Sequence, residues 1–390
     1  MTPSARVQAA IEILDQVIAA ARANGAPADR LIADWFRSRR FAGSKDRRAV
    51  RELAYRAIRA CGEVPDNGRA AMLRVAAEDA EIAALFDGSR HAPGAIAPGE
   101  PVAASGVAPQ WLMQRLAASG VNEAEAATLL DRAPLDVRVN TLKAGRLVLP
   151  EGGVRTVAAN GWRYPPETRI EDSEAYLSGA IEVQDTGSQL TCEVVAARPG
   201  ETVIDLCAGA GGKTLSLAAA MENTGTLIAC DIDRARLSRL SPRAERAGVT
   251  CIETVLLDPG REAQALERFA GKADAVLVDA PCSGTGTWRR NPEARWRLTE
   301  AQLARYVETQ ARLLDLAAGL VRPGRRLVFV TCSLLDDEGA NQAKGFLARH
   351  PGWRARPPVL AAGTARGEGL RLSTYCDGTD GFFVAQFVAL

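Results

Sequence analysis

The chain has 390 residues, 47% of them apolar and 24% charged, with a formal net charge of +1. This is the balance of an ordinary globular protein, and no apolar run approaches the ~20 residues that span a bilayer, so a membrane protein is excluded. The length predicts a catalytic unit of about 200 residues with something smaller beside it.

The start, Met1 to Arg6, runs into a pattern broken by Glu12, Asp15 and Arg22. It holds no uninterrupted signal-peptide core, and a cytoplasmic setting is expected. Residues 5–60 read helical, because Val7, Ile11, Leu14, Val17 and Ile18 recur at the 3.6 period with no proline between 4 and 26. A helical N-terminal domain is predicted over 1–88. Within it, residues 37–59 hold nine Arg and Lys against Asp46 and Glu52, with Phe41 and Tyr55 interleaved. Such a stretch suits RNA, since cations neutralise phosphates and aromatic faces stack on bases. A solvated helix face explains the same composition equally well. Residues 86–108 are rich in Gly, Pro, Ala and Ser without periodicity, which predicts a linker over 89–108.

A further helical stretch follows Pro109, and then Leu135 to Asn140 alternates as a half-buried strand does. Pro150, Gly152, Gly153, Pro165 and Pro166 break residues 144–180 into expected short strands and turns. From 201 onward, apolar strands beginning at Val203, Thr226, Ala275 and Arg326 alternate with helical segments, the pattern of a doubly wound α/β sheet. Leu303, Val307, Leu313, Leu314, Ala317 and Leu320 form a stripe suited to a helix covering that sheet. Phe382 to Val388 reads as a closing strand.

The first of these strands runs into Asp205-Leu206-Cys207-Ala208-Gly209-Ala210-Gly211-Gly212-Lys213-Thr214. Glycines let such a loop turn tightly and bring its amides close to a ligand where the next helix begins. A nucleoside-triphosphate loop needs glycine where Cys207 stands, and the dinucleotide fingerprint needs one where Thr214 stands. The second strand ends at Asp231 and the third apolar stretch at Asp258. Acidic groups at successive strand ends favour the ribose and adenine of an adenosine-type cofactor and disfavour the extra phosphate of NADP.

The eight cysteines form no CxxC pair and no Cys/His cluster, so free thiols and no metal site are expected. Two of them are placed differently from the rest: the fourth strand delivers Asp279-Ala280-Pro281-Cys282 and the fifth Thr331-Cys332-Ser333. In a parallel sheet both lie on the carboxyl edge, where doubly wound folds bind ligands. Paired thiols beside an adenosine site match methylation of cytosine C5. That carbon becomes nucleophilic only after a thiolate adds at C6, and a second group must then remove the C5 proton. Asp279 could hydrogen-bond the N3/N4 edge of the base. His91 and His350 lie outside these motifs, which leaves a histidine mechanism little support.

The blocks PLDVRVNTLKA (from Pro134), VQDTGSQL (from Val183), DLCAGAGGKT (from Asp205), DIDRARL (from Asp231), LVDAPCSGTGTWRRNP (from Leu277), VTCSLLDDEGAN (from Val330) and DGFFVAQF (from Asp380) resemble those of the RsmB (Fmu/Sun) group of RNA cytosine-5 methyltransferases. The resemblance covers roughly 109–390. It implies a Rossmann-like S-adenosylmethionine-dependent catalytic domain over 191–390, a small α+β RNA-binding platform over 109–190 and a NusB-like N-terminal domain. It implies further that Cys332 attacks C6, that Cys282 serves proton removal and release, and that Lys213 sits near Asp279 and the base.

The expected cofactor-binding set is Cys207, Ala208, Gly209, Ala210, Gly211, Gly212, Lys213, Asp231, Ile232, Arg236, Asp258, Asp279 and Pro281. The expected RNA-binding set is Arg39, Arg40, Lys45, Arg47, Arg48, Arg138, Asn140, Arg289 and Arg290, with Arg295 and Arg297 around Trp296 as further candidates. Small-subunit ribosomal RNA is the expected partner of a monomeric enzyme. The platform is expected to be reduced, and no C-terminal RNA-binding module is expected beyond the last strand. The competing readings are a transfer-RNA methylase, a non-catalytic RNA-binding assembly factor and a nicotinamide oxidoreductase.

Overall fold

The computed structural model describes residues 1–146 and 148–390; Leu147, in the stretch expected to hold short strands and turns, lies outside the described residues. They form two compact units, Met1–Asp131 with Thr287–Thr299, and Arg132–Gly286 with Glu300–Leu390. The division thus falls at 131/132 rather than at the predicted 108/109, and the first unit gains a segment from late in the chain.

The first unit is built from helices Pro3–Arg22, Ala28–Arg37, Ser44–Ala60, Gly68–Glu78, Gln110–Ala118 and Glu123–Thr128. The Thr2 hydroxyl caps the first by accepting from Ala5 N at 3.2 Å, and the Asn67 amide oxygen caps the fourth by accepting from Ala70 N at 2.8 Å. Val7, Ile11, Leu14, Val17 and Ile18 are all buried, as their period required. Gly68 lets the fourth helix approach the first, because a Cβ there would lie 2.2 Å from the Ile11 carbonyl oxygen.

The predicted linker is instead a strap on this unit. Ala103 N donates to Ala70 O at 3.1 Å, Arg74 Nε to Ala103 O at 2.8 Å, and Phe86 is buried in the helical core. Lack of periodicity excludes a regular element, but it leaves backbone groups free to pair with a neighbouring helix.

The second unit carries two sheets. Strands β1 (Leu135–Val139), β2 (Val154–Arg155), β3 (Gly161–Tyr164) and β4 (Ile181–Val183) form a small antiparallel sheet in the order β2-β3-β1-β4. The larger sheet contains β5 (Thr202–Asp205), β6 (Thr226–Asp231), β7 (Ile252–Leu256), β8 (Ala273–Asp279), β9 (Val321–Thr331), β10 (Trp353–Ala355), β11 (Thr364–Arg366), β12 (Gly369–Leu372) and β13 (Phe382–Ala389). Its order is β11-β12-β13-β9-β8-β5-β6-β7, with β10 also paired to β13. Strands β5 to β9 pair in parallel, whereas β10 to β13 add an antiparallel edge.

Both faces of the parallel part are covered, which explains its near-continuous apolar runs. Ile204, Ile228 and Val276 pack with Leu313, Leu314 and Phe346 on one face, and Val203, Leu227 and Leu277 with Leu190, Val194 and Leu217 on the other. The result is a Rossmann-like sheet whose order reverses between β5 and β8. A crevice outside the carboxyl ends of those two strands is where such folds take their ligands. No helix among the described residues is long and apolar enough to cross a membrane.

Candidate active site

The loop after β5 is drawn onto the end of β6. Ala208 N donates to Cys230 O at 2.8 Å, and Gly209 N donates to Asp231 Oδ2 at 2.7 Å. Gly209 and Gly211 have φ of +56° and +88°, and a Cβ on Gly211 would lie 2.1 Å from Leu240 Cδ1. Only glycine satisfies both demands there. The other Asp231 oxygen accepts from Asp233 N at 2.7 Å, so each retains a lone pair for a hydroxyl donor. Beside it Ile232 is 58% exposed, a bare apolar surface at a strand end. Asp258 is exposed two residues beyond β7, and a Cβ on Gly209 would meet the Arg236 guanidinium at 2.8 Å. Carboxylates flanking an apolar face, next to a loop with close backbone approach, fit an adenosine-type group.

Asp205 has another task. It is fully buried, its Oδ2 accepts from Thr214 Oγ1 at 2.7 Å, and its Oδ1 has no partner. Burial pushes its carboxyl up to about 7.

Lys213, at the start of the helix Gly212–Ala220, donates from Nζ to Asp279 Oδ2 at 2.7 Å and lies 5.4 Å from the Phe382 ring centre. Burial works against its charge, but Asp279, with Cys192 and Cys332 in support, raises the ammonium above its ordinary range. Asp279 ends β8, opposite Val330 of β9. The residues that follow on the two strands therefore emerge side by side.

The Sγ atoms of Cys282 and Cys332 lie 3.4 Å apart. Their loops are stitched together by Ser283 Oγ to Ser333 Oγ at 3.2 Å, Thr285 Oγ1 to Ser333 Oγ at 3.1 Å and Gly286 N donating to Cys332 O at 3.0 Å. The hydrogen bond to Cys332 and burial, with the nearby charge of Glu338 in support, hold the Cys282 thiol well above its usual range. Pro281 is exposed, and its carbonyl accepts from Gln310 Nε2 at 2.9 Å.

The arginines and Asn140 divide. Arg40, Lys45, Arg47 and Arg48 are exposed on the first unit. Arg39 lies over the Trp35 ring at 4.0 Å and pairs with Glu12 at 3.0 Å. Arg290 is half-buried and Arg289 buried. Arg138 is buried with Nε donating to Gln184 Oε1 at 2.8 Å, and buried Asn140 donates to Gly179 O and Ala247 O at 2.9 and 2.8 Å. Arg295 is fully buried and donates to Ile58 O at 2.6 Å and Cys61 O at 2.8 Å; Arg297 donates to Gly25 O and Ala26 O. Arg138, Asn140, Arg289 and Arg295, expected among the RNA-binding residues, are buried.

Reasoning from sequence missed Glu338, Ser283, Ser333 and Gln310. Glu338 closes a run of three acids, and nothing in their spacing distinguishes the buried one. Among the described residues no His, Cys, Asp and Glu group could hold a metal.

A family model described as 16S rRNA methyltransferase RsmB/F matches residues 192–388. A protein of Synechocystis sp. described as probable ribosomal RNA small subunit methyltransferase B is 33% identical over 298 residues, covering 71% of this chain and 66% of its own. The chain thus spans just under two thirds of that relative's length. The solved structure of PH0851 superposes with a TM-score of 0.78 at 25% identity, covering 100% of this chain and 99% of that one. NSun6 from Pyrococcus horikoshii, at 19% identity, shares the fold with a TM-score of 0.61, covering 70% of this chain and 97% of its own.

Proposed function

The chain belongs to the RsmB/F methyltransferase family, and from that premise we propose that it forms 5-methylcytosine in small-subunit ribosomal RNA, with Cys332 as nucleophile and Cys282 as its partner. The observation that carries this reading is the pair of thiols 3.4 Å apart at neighbouring strand ends, beside the Lys213–Asp279 pair and one strand from the glycine loop. S-adenosylmethionine would be held by the glycine loop, Asp231, Ile232 and Asp258, and when bound would supply an electrophilic methyl group.

Cys332, its thiol proton released to solvent, adds to cytosine C6; the new S–C6 bond sends the C5–C6 π pair to C5, which would bond the methyl carbon as the sulfonium–methyl bond breaks with its pair left on sulfur. The hydrogen bond to Cys332 and burial hold the proton on Cys282. Once Cys332 is bonded to carbon its sulfur is neutral, so Cys282 can release its own proton to solvent and, as thiolate, take the C5 proton. The C5–H electron pair then forms the C5–C6 double bond, and the C6–S bond breaks with its pair returning to Cys332. Asp279, steadied by Lys213, accepts from the cytosine amino group and holds the ring in place.

A denaturing gel tests the roles. Cys282→Ala should accumulate protein joined covalently to RNA, and Cys332→Ala should form none; the reverse pattern means the roles are exchanged. Mapping 5-methylcytosine in ribosomal and transfer RNA from cells with and without the protein tests the substrate. A site lost only from transfer RNA would overturn the ribosomal assignment.

A further inference from the structure

Asp336, Asp337 and Glu338 follow one another after β9, but only Glu338 is fully buried. Its Oε1 accepts from Ser283 N at 2.8 Å and Gln310 Nε2 at 3.1 Å, its Oε2 from Ser283 Oγ, and its backbone carbonyl from Thr331 Oγ1 at 3.1 Å. The Ser333 hydroxyl is turned to the carboxylate as well. Ser283 follows Cys282 in the chain, and Thr331 and Ser333 flank Cys332. These donors are all neutral. A buried carboxylate without a cation is not what stability alone selects, since its desolvation is poorly offset and a glutamine would fill the same space.

We propose that Glu338 is a positioning residue for the two-cysteine site: its carboxyl group fastens the loop bearing Cys282 to the turn bearing Cys332 and stands behind the pair. The groups facing Cys282 are Cys332, Glu338 and Tyr306 on the helix Glu300–Ala318, whereas Lys213, paired with Asp279, bears on Cys332. Glu338 is the carboxyl among the groups that raise Cys282; burial lifts its own titration above the usual carboxylate range, and once ionised its charge opposes ionisation of Cys282. The inference rests on the proposed thiol chemistry, but its first readout needs no methyl transfer.

In the full chain with Cys332→Ser, alkylation of Cys282 by iodoacetamide is followed against pH by peptide mass spectrometry. Adding Glu338→Gln should lower the midpoint by about one pH unit. With Cys332 restored, Glu338→Gln should lower kcat roughly 100-fold while KM changes little. Glu338→Asp, which keeps the charge on a shorter arm, should restore the alkylation midpoint but not kcat. An unmoved midpoint in Glu338→Gln overturns the assignment, as does a loss of turnover carried by KM. Should Glu338→Gln fail to fold, Ser283→Ala cuts one tether, and an unchanged kcat there overturns the proposal. A shifted midpoint in a chain whose Cys332 form makes no 5-methylcytosine supports the role of Glu338 and overturns the methyl-transfer reading instead.

Discussion

At the carboxyl edge of the parallel sheet, opposite charges and paired thiols face one another: Lys213, at the helix start that follows β5, to Asp279 at the end of β8, and Cys282 to Cys332 just beyond β8 and β9. In the segment Thr287–Thr299 of the other unit, charge is folded inward, and Arg295 and Arg297 donate to backbone carbonyls. The difference lies in what directs each side chain. Parallel pairing with a defined register sets where the last residue of a strand sits relative to its neighbour, so strand-end residues converge on one crevice. A long guanidinium leaving a single helical turn has no such constraint, and it can satisfy carbonyls left over by helix ends as readily as phosphates. Burial pulls Arg295 down to about 9, which measures how far this cation has been taken from water.

The largest effects should come from the sheet edge. Lys213→Met leaves Asp279 without its partner and should lower kcat by roughly 10²–10³, with the melting temperature nearly unchanged, as steady-state kinetics and calorimetry would show. Near-normal kcat would place Lys213 with the structural cations and erase the contrast. Arg295→Met should behave in the opposite way. It removes the buried hydrogen bonds to the carbonyls of Ile58 and Cys61 and should destabilise the first unit by about 3 kcal/mol in urea unfolding, where an exposed arginine would lose less than about 0.5.

Asp205 sharpens the comparison, because it ends a strand of the sheet edge and yet is as buried as Arg295. Its native carboxyl holds a proton up to about 7, whereas the unfolded chain releases it near 3.8. The native state therefore binds more protons between those values, and the stability contributed by Asp205 falls as pH rises through that window. Asp205→Asn removes this dependence. It should leave stability unchanged near pH 4 and raise it by on the order of 4 kcal/mol at pH 8 relative to the parent. A gain that is equal at both pH values would show that the carboxyl is ionised in the folded protein.

These contrasts also show why some residues were readable in the sequence and others were not. Asp231, Asp279, Cys282 and Cys332 each close an apolar run that only a strand could use, so their place follows from the strand. The parallel part of the sheet was readable for the same reason, whereas the pairing of β10 to β13 depends on neighbours distant in the chain. Arg138 and Asn140 sit in and beside a recognisable strand, yet their partners Gln184, Gly179 and Ala247 come from elsewhere. Glu338 is indistinguishable from Asp336 and Asp337 until the Cys282 loop arrives to bury it. The strap 86–108 carries no periodic signal because backbone groups and scattered side chains, rather than a regular apolar face, attach it.

The smallest structural effect, and the most direct reading of surface charge, belongs to Arg40, Lys45 and Arg48. All three are exposed, and no ordering of the core depends on them. Replacing them together with alanine should shift stability by less than about 0.5 kcal/mol per site. If they meet phosphates, the slope of log affinity against log salt for a small-subunit RNA fragment should fall by about one for each phosphate no longer neutralised. Filter binding across a salt series separates the two uses of positive charge in this unit. A slope unchanged in the triple variant would make residues 37–59 a solvated helix face, and RNA would then have to be gripped by the unit that carries the cysteines.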